Sequence, residues 1–240
     1  MYKITVIPGD GIGQEVMQPT IDILETLNSK FEFIPKEAGK ECYQKYDTNL
    51  PEETIVQCRE SDSTLFGAVT SIPQQKSAIV TLRKELDLYV NQRPIYSYTN
   101  PDIDFTIIRE NSEGLYSHIE ESTGDEAIAI RKITYKASER IINYAFNYAL
   151  KTEKSKVTAS HKANVLPVTD GIFKNTFYKV ASNYPTIKSN DYYIDAMAMY
   201  LITNPAQFDI IVTTNLFGDI LSDEGGGLVG TLGLIPSANI

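Results

Sequence analysis

The chain is poor in soft metal ligands: its 240 residues include only two cysteines and two histidines. Cys42 and Cys58 are too few and unsuitably spaced for a disulfide framework or a zinc site, and read as small half-buried residues. With only His118 and His161, no histidine metal cluster can be built. So few cysteines fit a reducing, cytoplasmic setting. No apolar run approaches the roughly 20 residues of a membrane span, and Met1 leads into a polar-flanked strand pattern, not a signal peptide, so no membrane role is expected. Positive charge is in deficit: 22 Lys and Arg against 31 Asp and Glu leave a net charge of −9, which argues against a nucleic-acid partner. There is no internal repeat and no low-complexity tract. What remains is one large or two small globular domains with enough chain to bury a sizeable core.

Strand and helix patterns alternate along the chain. Residues 2–7, 31–34, 64–69, 105–109, 126–133, 156–161, 192–194 and 208–213 read as strands. Helical patterns run from the glycine turn to about Leu27, onward from Pro51, and over 79–88, 136–150, 171–183 and 195–202. Thr169 or Asp170 is placed to cap the helix that starts at Gly171. This alternation predicts an α/β fold with a largely parallel sheet. The polar, proline-bearing stretch 94–104 is the expected crossing between two domains.

Chemistry concentrates near the end. In Asn215-Leu-Phe-Gly-Asp219-Ile-Leu-Ser-Asp223, two aspartates stand four apart at the start of an expected helix and so share one face. Such pairs ordinarily face water. Here Ile210, Ile211, Val212, Leu216, Phe217, Ile220 and Leu221 surround them, and two acids in an apolar frame repel unless a cation intervenes. Mg²⁺ or Mn²⁺ is the simplest candidate, because hard cations take carboxylate oxygens. Arg83, Arg93 and Arg109 form a second group, with Arg109 closing an apolar strand. Guanidinium forks suit a di- or tricarboxylate, although each arginine alone reads more readily as a surface ion pair. Tyr116 follows Arg109, and Lys162 sits just past a strand, where α/β sheets bind ligands. Gly9, Gly11 and Gly13 follow the first strand as G-x-G-x-G, a poor match to the G-x-G-x-x-G of dinucleotide folds and equally a tight strand-to-helix turn.

Taken in order, these segments resemble the metal-dependent isocitrate, homoisocitrate and 3-isopropylmalate dehydrogenases. The matching segments are PGDGIG, LRKELDLY followed by NQRP, RENSEGLY, HKAN, YIDAMAM and NLFGDILSD, spread over the whole chain. Each is weak alone; the ordered set is specific. The resemblance implies a two-lobed fold that is not a Rossmann fold. It implies that Arg83, Arg93 and Arg109 grip the malate carboxylates, with Ser77 near the substituent on C3. By the same resemblance Tyr116 is the general acid, Lys162 a proton acceptor, and Asn164 a residue near substrate and nicotinamide. Asp219 and Asp223 match metal ligands completed by Asp195. Lys162 and Asp195 match the pair that a neighbouring subunit contributes, so a homodimer with shared active sites is expected. The cofactors implied are Mg²⁺ or Mn²⁺ and NAD(P), with NAD taken as the default over NADP.

These readings set several expectations. The large lobe spans residues 1–95, the small lobe 96–228, and residues 229–240 return to the large lobe. Relatives continue past the end of this chain, which implies an incomplete large lobe and weak binding of NAD(P). Gly225, Gly226 and Gly227 are expected to end or bend the helix after Asp223, since each helical glycine costs about 1 kcal/mol against alanine. The expected reaction is oxidative decarboxylation of a 3-substituted malate. Ser77 and Lys76 offer donors for a carboxylate arm, which ranks homoisocitrate or isocitrate above 3-isopropylmalate, although Ile79 and Val80 are apolar. The alternative is a catalytically silent or truncated subunit of the same fold.

Overall fold

The computed structural model describes every residue except Asn28 and Ser29. It divides into two compact units, Met1–Leu86 and Asp87–Ile240.

In the first unit, β1 (Tyr2–Gly9), α1 (Ile12–Thr26), β2 (Phe31–Pro35), α2 (Lys40–Tyr46), α3 (Glu52–Glu60), β3 (Ser63–Ala68) and α4 (Ala78–Glu85) follow in order. The sheet is parallel, in the order β2-β1-β3. Only β1 lies deep, with Thr5, Val6 and Ile7 buried, while the flanking strands are at most half-buried. Ile7, Ala38, Leu50, Ile55, Cys58, Ala78 and Leu82 make its core. Both cysteines are buried and free, deeper than the half-buried position expected of them. α2 was not visible as a periodic pattern, because Cys42 is its only buried residue.

The second unit contains β4 (Val90–Tyr96), β5 (Asp104–Glu110), β6 (Glu120–Ser122), β7 (Ala127–Ala129), α5 (Tyr135–Lys151), β8 (Lys156–His161), α6 (Thr169–Ala181), β9 (Lys188–Tyr193), α7 (Ile194–Thr203), β10 (Ile210–Thr213), α8 (Asn215–Val229) and β11 (Ala238–Asn239). Six of its strands form one sheet in the order β11-β4-β5-β10-β8-β9, parallel from β5 to β9. Alternate residues of β5 and β10 serve opposite cores. Ile108, Ile210 and Val212 pack with α5 and α6, whereas Ile107 and Ile211 pack with α7 and α8. A sheet covered on both faces explains the unbroken apolar runs of these strands. The carboxyl ends of β5, β8, β9 and β10 lead directly into Arg109, Lys162, Asp195 and Asn215.

The structure departs from the expected boundaries. It divides after Leu86, not Ile95, and residues 94–104 are no domain crossing. β4 runs through Pro94 and pairs antiparallel with β5 from Val90 to Tyr96. The proline is tolerated because β11 pairs only with Asn91 and Gln92, leaving the rest of β4 an edge. That same pairing holds Ala238 and Asn239 in the second unit. The strand expected over 126–133 is instead a small antiparallel hairpin of β6 and β7, with every residue exposed. α8 does not end at its glycines. A Cβ on Gly225 would lie 2.8 Å from Ile95 Cδ1 and one on Gly226 2.6 Å from Leu232 Cδ2, so neighbouring side chains fill the gaps and the helix continues.

Candidate active site

Arg109 is the last residue but one of β5 and is only 2% exposed. Its Nε and Nη2 donate to Asn215 Oδ1 at 3.0 and 2.7 Å, and its Nη1 donates to Asp219 Oδ1. Asn215 opens α8 and anchors itself by donating from Nδ2 to the Glu113 carbonyl at 3.0 Å. The stem of Arg109 crosses α8 at Gly218, where a Cβ would come within 2.6 Å of Arg109 Cγ. The other oxygen of Asp219 accepts from the Tyr116 hydroxyl, whose ring lies 5.1 Å from the Arg109 guanidinium. Burial raises the Tyr116 pKa, helped by the hydrogen bond to Asp219 and its charge, with Arg109 opposing. The phenol therefore stays protonated, the form a general acid needs.

Arg93 on β4 donates from Nε to Asn91 Oδ1 at 3.0 Å. Burial and the neighbouring Arg109 push its pKa down, while Asp223 and Asp219 oppose. Two arginines and two aspartates are thus electrostatic neighbours in one place. Cations held close together at such a cost favour an anionic ligand, and forked donors favour carboxylates.

Asp219 and Asp223 stand one turn apart on α8, Asp219 partly accessible and Asp223 exposed. Among the described residues, no three His, Cys, Asp or Glu side chains gather closely enough to hold a metal. The pair fits part of the oxygen set of a hard divalent cation, the remaining ligands having to come from substrate, water or a second chain. Asp195 does not join them within this chain. It opens α7 and accepts the Lys162 ammonium, which holds its carboxyl below the usual range. Asn164, two residues past Lys162, is exposed.

Ser77 and Arg83 belong to the first unit. Ser77 precedes α4 and lines a recess of about 50 Å³ with Asn49, Thr70, Ser71 and Gln75 among its walls. Arg83 lies half-buried in the last turn of α4. The glycine turn of this unit is packed by its own backbone. A Cβ on Gly9 would lie 1.9 Å from the Ala68 carbonyl oxygen, and one on Gly13 2.2 Å from that of Pro8. Asp10 within the turn accepts from the amides of Thr70, Lys40 and Glu41 at 2.7, 2.8 and 3.1 Å. Gly9 and Gly13 thus serve close packing, while Gly11, with φ +54° and open space around it, serves the turn's backbone.

Three site residues were not legible from the sequence: Asn215, Arg131 and Asp170. Asn215 lay inside a quoted motif, but its role depends on the fold bringing it under Arg109. Asp170 was expected as a helix cap. It sits inside the first turn of α6 instead, and its carboxylate accepts from the Lys162 amide at 2.6 Å.

Two strand arginines, a protonated tyrosine from the turn after β5 and an acid pair on α8, gathered at one place, define a class of carboxylate-binding site. The comparisons narrow that class. Residues 3–240 match the profile of the isocitrate/isopropylmalate dehydrogenase family. A 3-isopropylmalate dehydrogenase from Methanothermobacter thermautotrophicus is 56% identical over 243 residues, covering 99% of this chain and 73% of its own. A homoisocitrate dehydrogenase from Methanocaldococcus jannaschii is 50% identical, covering 100% of this chain and 74% of its own. The crystal structure of isocitrate dehydrogenase from Methylococcus capsulatus superposes with a TM-score of 0.95 at 41% identity, covering 100% of this chain and 74% of that one. The chain belongs to the isocitrate/isopropylmalate dehydrogenase family, whose members are NAD-dependent dehydrogenases. No helix among the described residues is long and apolar enough to cross a membrane.

Proposed function

We propose that this chain carries out NAD(P)-dependent oxidative decarboxylation of a 3-substituted malate, with homoisocitrate or isocitrate favoured over 3-isopropylmalate. The observation that carries the reading is the placement of Arg93 and Arg109 beside Asp219 and Asp223, with the Tyr116 hydroxyl on Asp219. Arg93 and Arg109 bind the malate carboxylates and orient C2 and C3. Asp219 and Asp223 hold Mg²⁺ or Mn²⁺ with Asp195 of a second copy, and the active unit is a homodimer. When bound, the cation supplies polarisation of the C2 hydroxyl and NAD(P) supplies the hydride acceptor. Lys162 of the second copy, as the neutral amine, takes the C2 hydroxyl proton, directly or through water. As C2 is oxidised, the C3 carboxylate leaves as CO₂, and its bonding electrons stay with the substrate as an enolate. Tyr116 then delivers its phenolic proton to C3, for which it must turn from Asp219 toward the substrate.

The donors Thr70, Ser71 and Ser77 in the recess support the tricarboxylate preference, since a carboxylate arm needs donors and an isopropyl group leaves them unpaired, whereas Val69, Ile72 and Ala78 in the same recess suit an isopropyl group. The 56% identity to a protein named 3-isopropylmalate dehydrogenase supports the other substrate. A thermal-shift comparison of the three acids with Mg²⁺ decides without requiring turnover. Homoisocitrate or isocitrate is expected to raise the melting temperature by several degrees and 3-isopropylmalate by less. Stabilisation by 3-isopropylmalate alone reverses the preference, and stabilisation by none of them overturns the reading.

A further inference from the structure

The Lys162 peptide is fixed on every side by groups that the proposed chemistry does not use. Its N–H donates to Asp170 Oδ2 at 2.6 Å, and its carbonyl accepts from the amides of Val165 and Leu166 at 3.0 and 2.8 Å. The next amide, Ala163 N–H, donates to His161 Nδ1 at 3.1 Å. His161 is fully buried, and its Nε2 meets Asp191 Oδ2 at 3.0 Å. Since Nδ1 accepts, Nε2 must carry the proton, and burial favours this neutral form.

Asp170 is 0% exposed, and a lone carboxylate there would be costly. Arg131 pairs with its other oxygen. The same guanidinium donates to Thr214 Oγ1 at 3.0 Å and lies 5.0 Å from the Phe217 ring, both at the amino end of α8. One buried ion pair therefore ties the Lys162 loop to the helix that carries Asn215, Asp219 and Asp223.

We propose that Arg131 and Asp170 are a positioning pair that presets the Lys162 backbone and ties it to the amino end of α8. The Lys162 head group is held at Asp195 while its peptide is immobile, so the amine, once deprotonated, searches little space before reaching a substrate hydroxyl. Neither residue touches the reacting atoms. The proposal rests on the reading of Lys162 as the proton acceptor.

The test compares the wild-type chain with Asp170→Asn and with the double variant Arg131→Met/Asp170→Leu. The double variant removes both charges together, so no buried charge is left unpaired and the fold is kept. Hydrogen exchange followed by mass spectrometry reads residues 161–166 against α5 as an internal control. Exchange in 161–166 is expected to accelerate at least tenfold in the double variant while α5 stays protected. Turnover is expected to fall at least tenfold in kcat with KM for the hydroxyacid changed less than twofold. Unchanged exchange in 161–166 with α5 protected overturns the pairing, as does unchanged kcat or loss shared equally by kcat and KM. Failure of the underlying reading looks different: Lys162→Met would then retain wild-type turnover. If either variant fails to fold, Thr214→Val with Phe217→Leu cuts only the link to α8. It is expected to raise exchange in 161–166 at least threefold, and no change there overturns the tie.

Discussion

The two units solve the same packing problem to different depths. In the second, β5 and β10 are covered on both faces, and Ile107, Ile108, Ile210, Ile211 and Val212 are fully buried. In the first, only β1 reaches that depth, and α1 leaves Ile12, Val16 and Ile23 exposed. The chemistry follows the depth. Arg109, Asn215 and Asp170 are buried polar groups with fixed partners, which a closely packed scaffold can hold to a few tenths of an ångström. Ser77 and Arg83 lie before and on a two-turn helix of the shallower unit. The second unit therefore presets its charges, while the first presents its groups from a softer frame.

The sharpest way to break this comparison is to remove one aromatic from each unit. Phe146 is fully buried, with ring centroids of Phe177 and Tyr184 at 5.6 and 4.8 Å. Phe146→Ala should cost about 3–5 kcal/mol. Phe66 on β3 is only partly buried against its core, so Phe66→Ala should cost about half as much. Urea unfolding, with hydrogen exchange to assign each unit, gives both numbers. Equal costs would remove the difference in depth.

A smaller effect separates the units by pH. The Asp10 carboxyl is held below the usual range although burial, its largest influence, acts to raise it. The amides of Lys40, Thr70 and Glu41 more than offset that burial. Asp191 in the second unit is likewise lowered, by Tyr178, Lys174 and His161 against its burial. Both carboxylates contribute stability that is present above the ordinary value of 3.8 and lost as pH falls through the lower folded values. The second unit has a further sensitivity. Burial depresses the His161 pKa below 6.5, so the unfolded chain takes a proton first as pH drops past that value. Exchange measured between pH 7 and pH 5 should therefore show the second unit weakening before the first. Parallel weakening would mean that the buried histidine contributes nothing specific.

The contrast also marks what the sequence could reveal. Strands 105–109 and 156–161 and the helix over 136–150 were legible because burial on both faces, or on one helical face, imposes an apolar pattern. β4 was hidden by Pro94, whose punctuation suggested a linker until edge pairing explained it. The β6–β7 hairpin buries nothing and leaves no period to read. Gly225 and Gly226 looked like a helix stop because the side chains that fill their gaps, Ile95 and Leu232, come from other segments. In the site, acid and arginine spacings were visible locally. The grip of Asn215 on Arg109 spans 106 residues and that of Arg131 on Asp170 spans 39, so neither leaves a local spacing to read.

We propose that the acid pair of α8 takes a divalent cation. Mn²⁺ titration by isothermal calorimetry, on the wild-type chain and on Asp219→Asn, tests it most directly. The wild-type chain should bind saturably, and Asp219→Asn should weaken binding at least tenfold with its circular dichroism unchanged. Equal Mn²⁺ affinity in the two proteins would contradict the assignment.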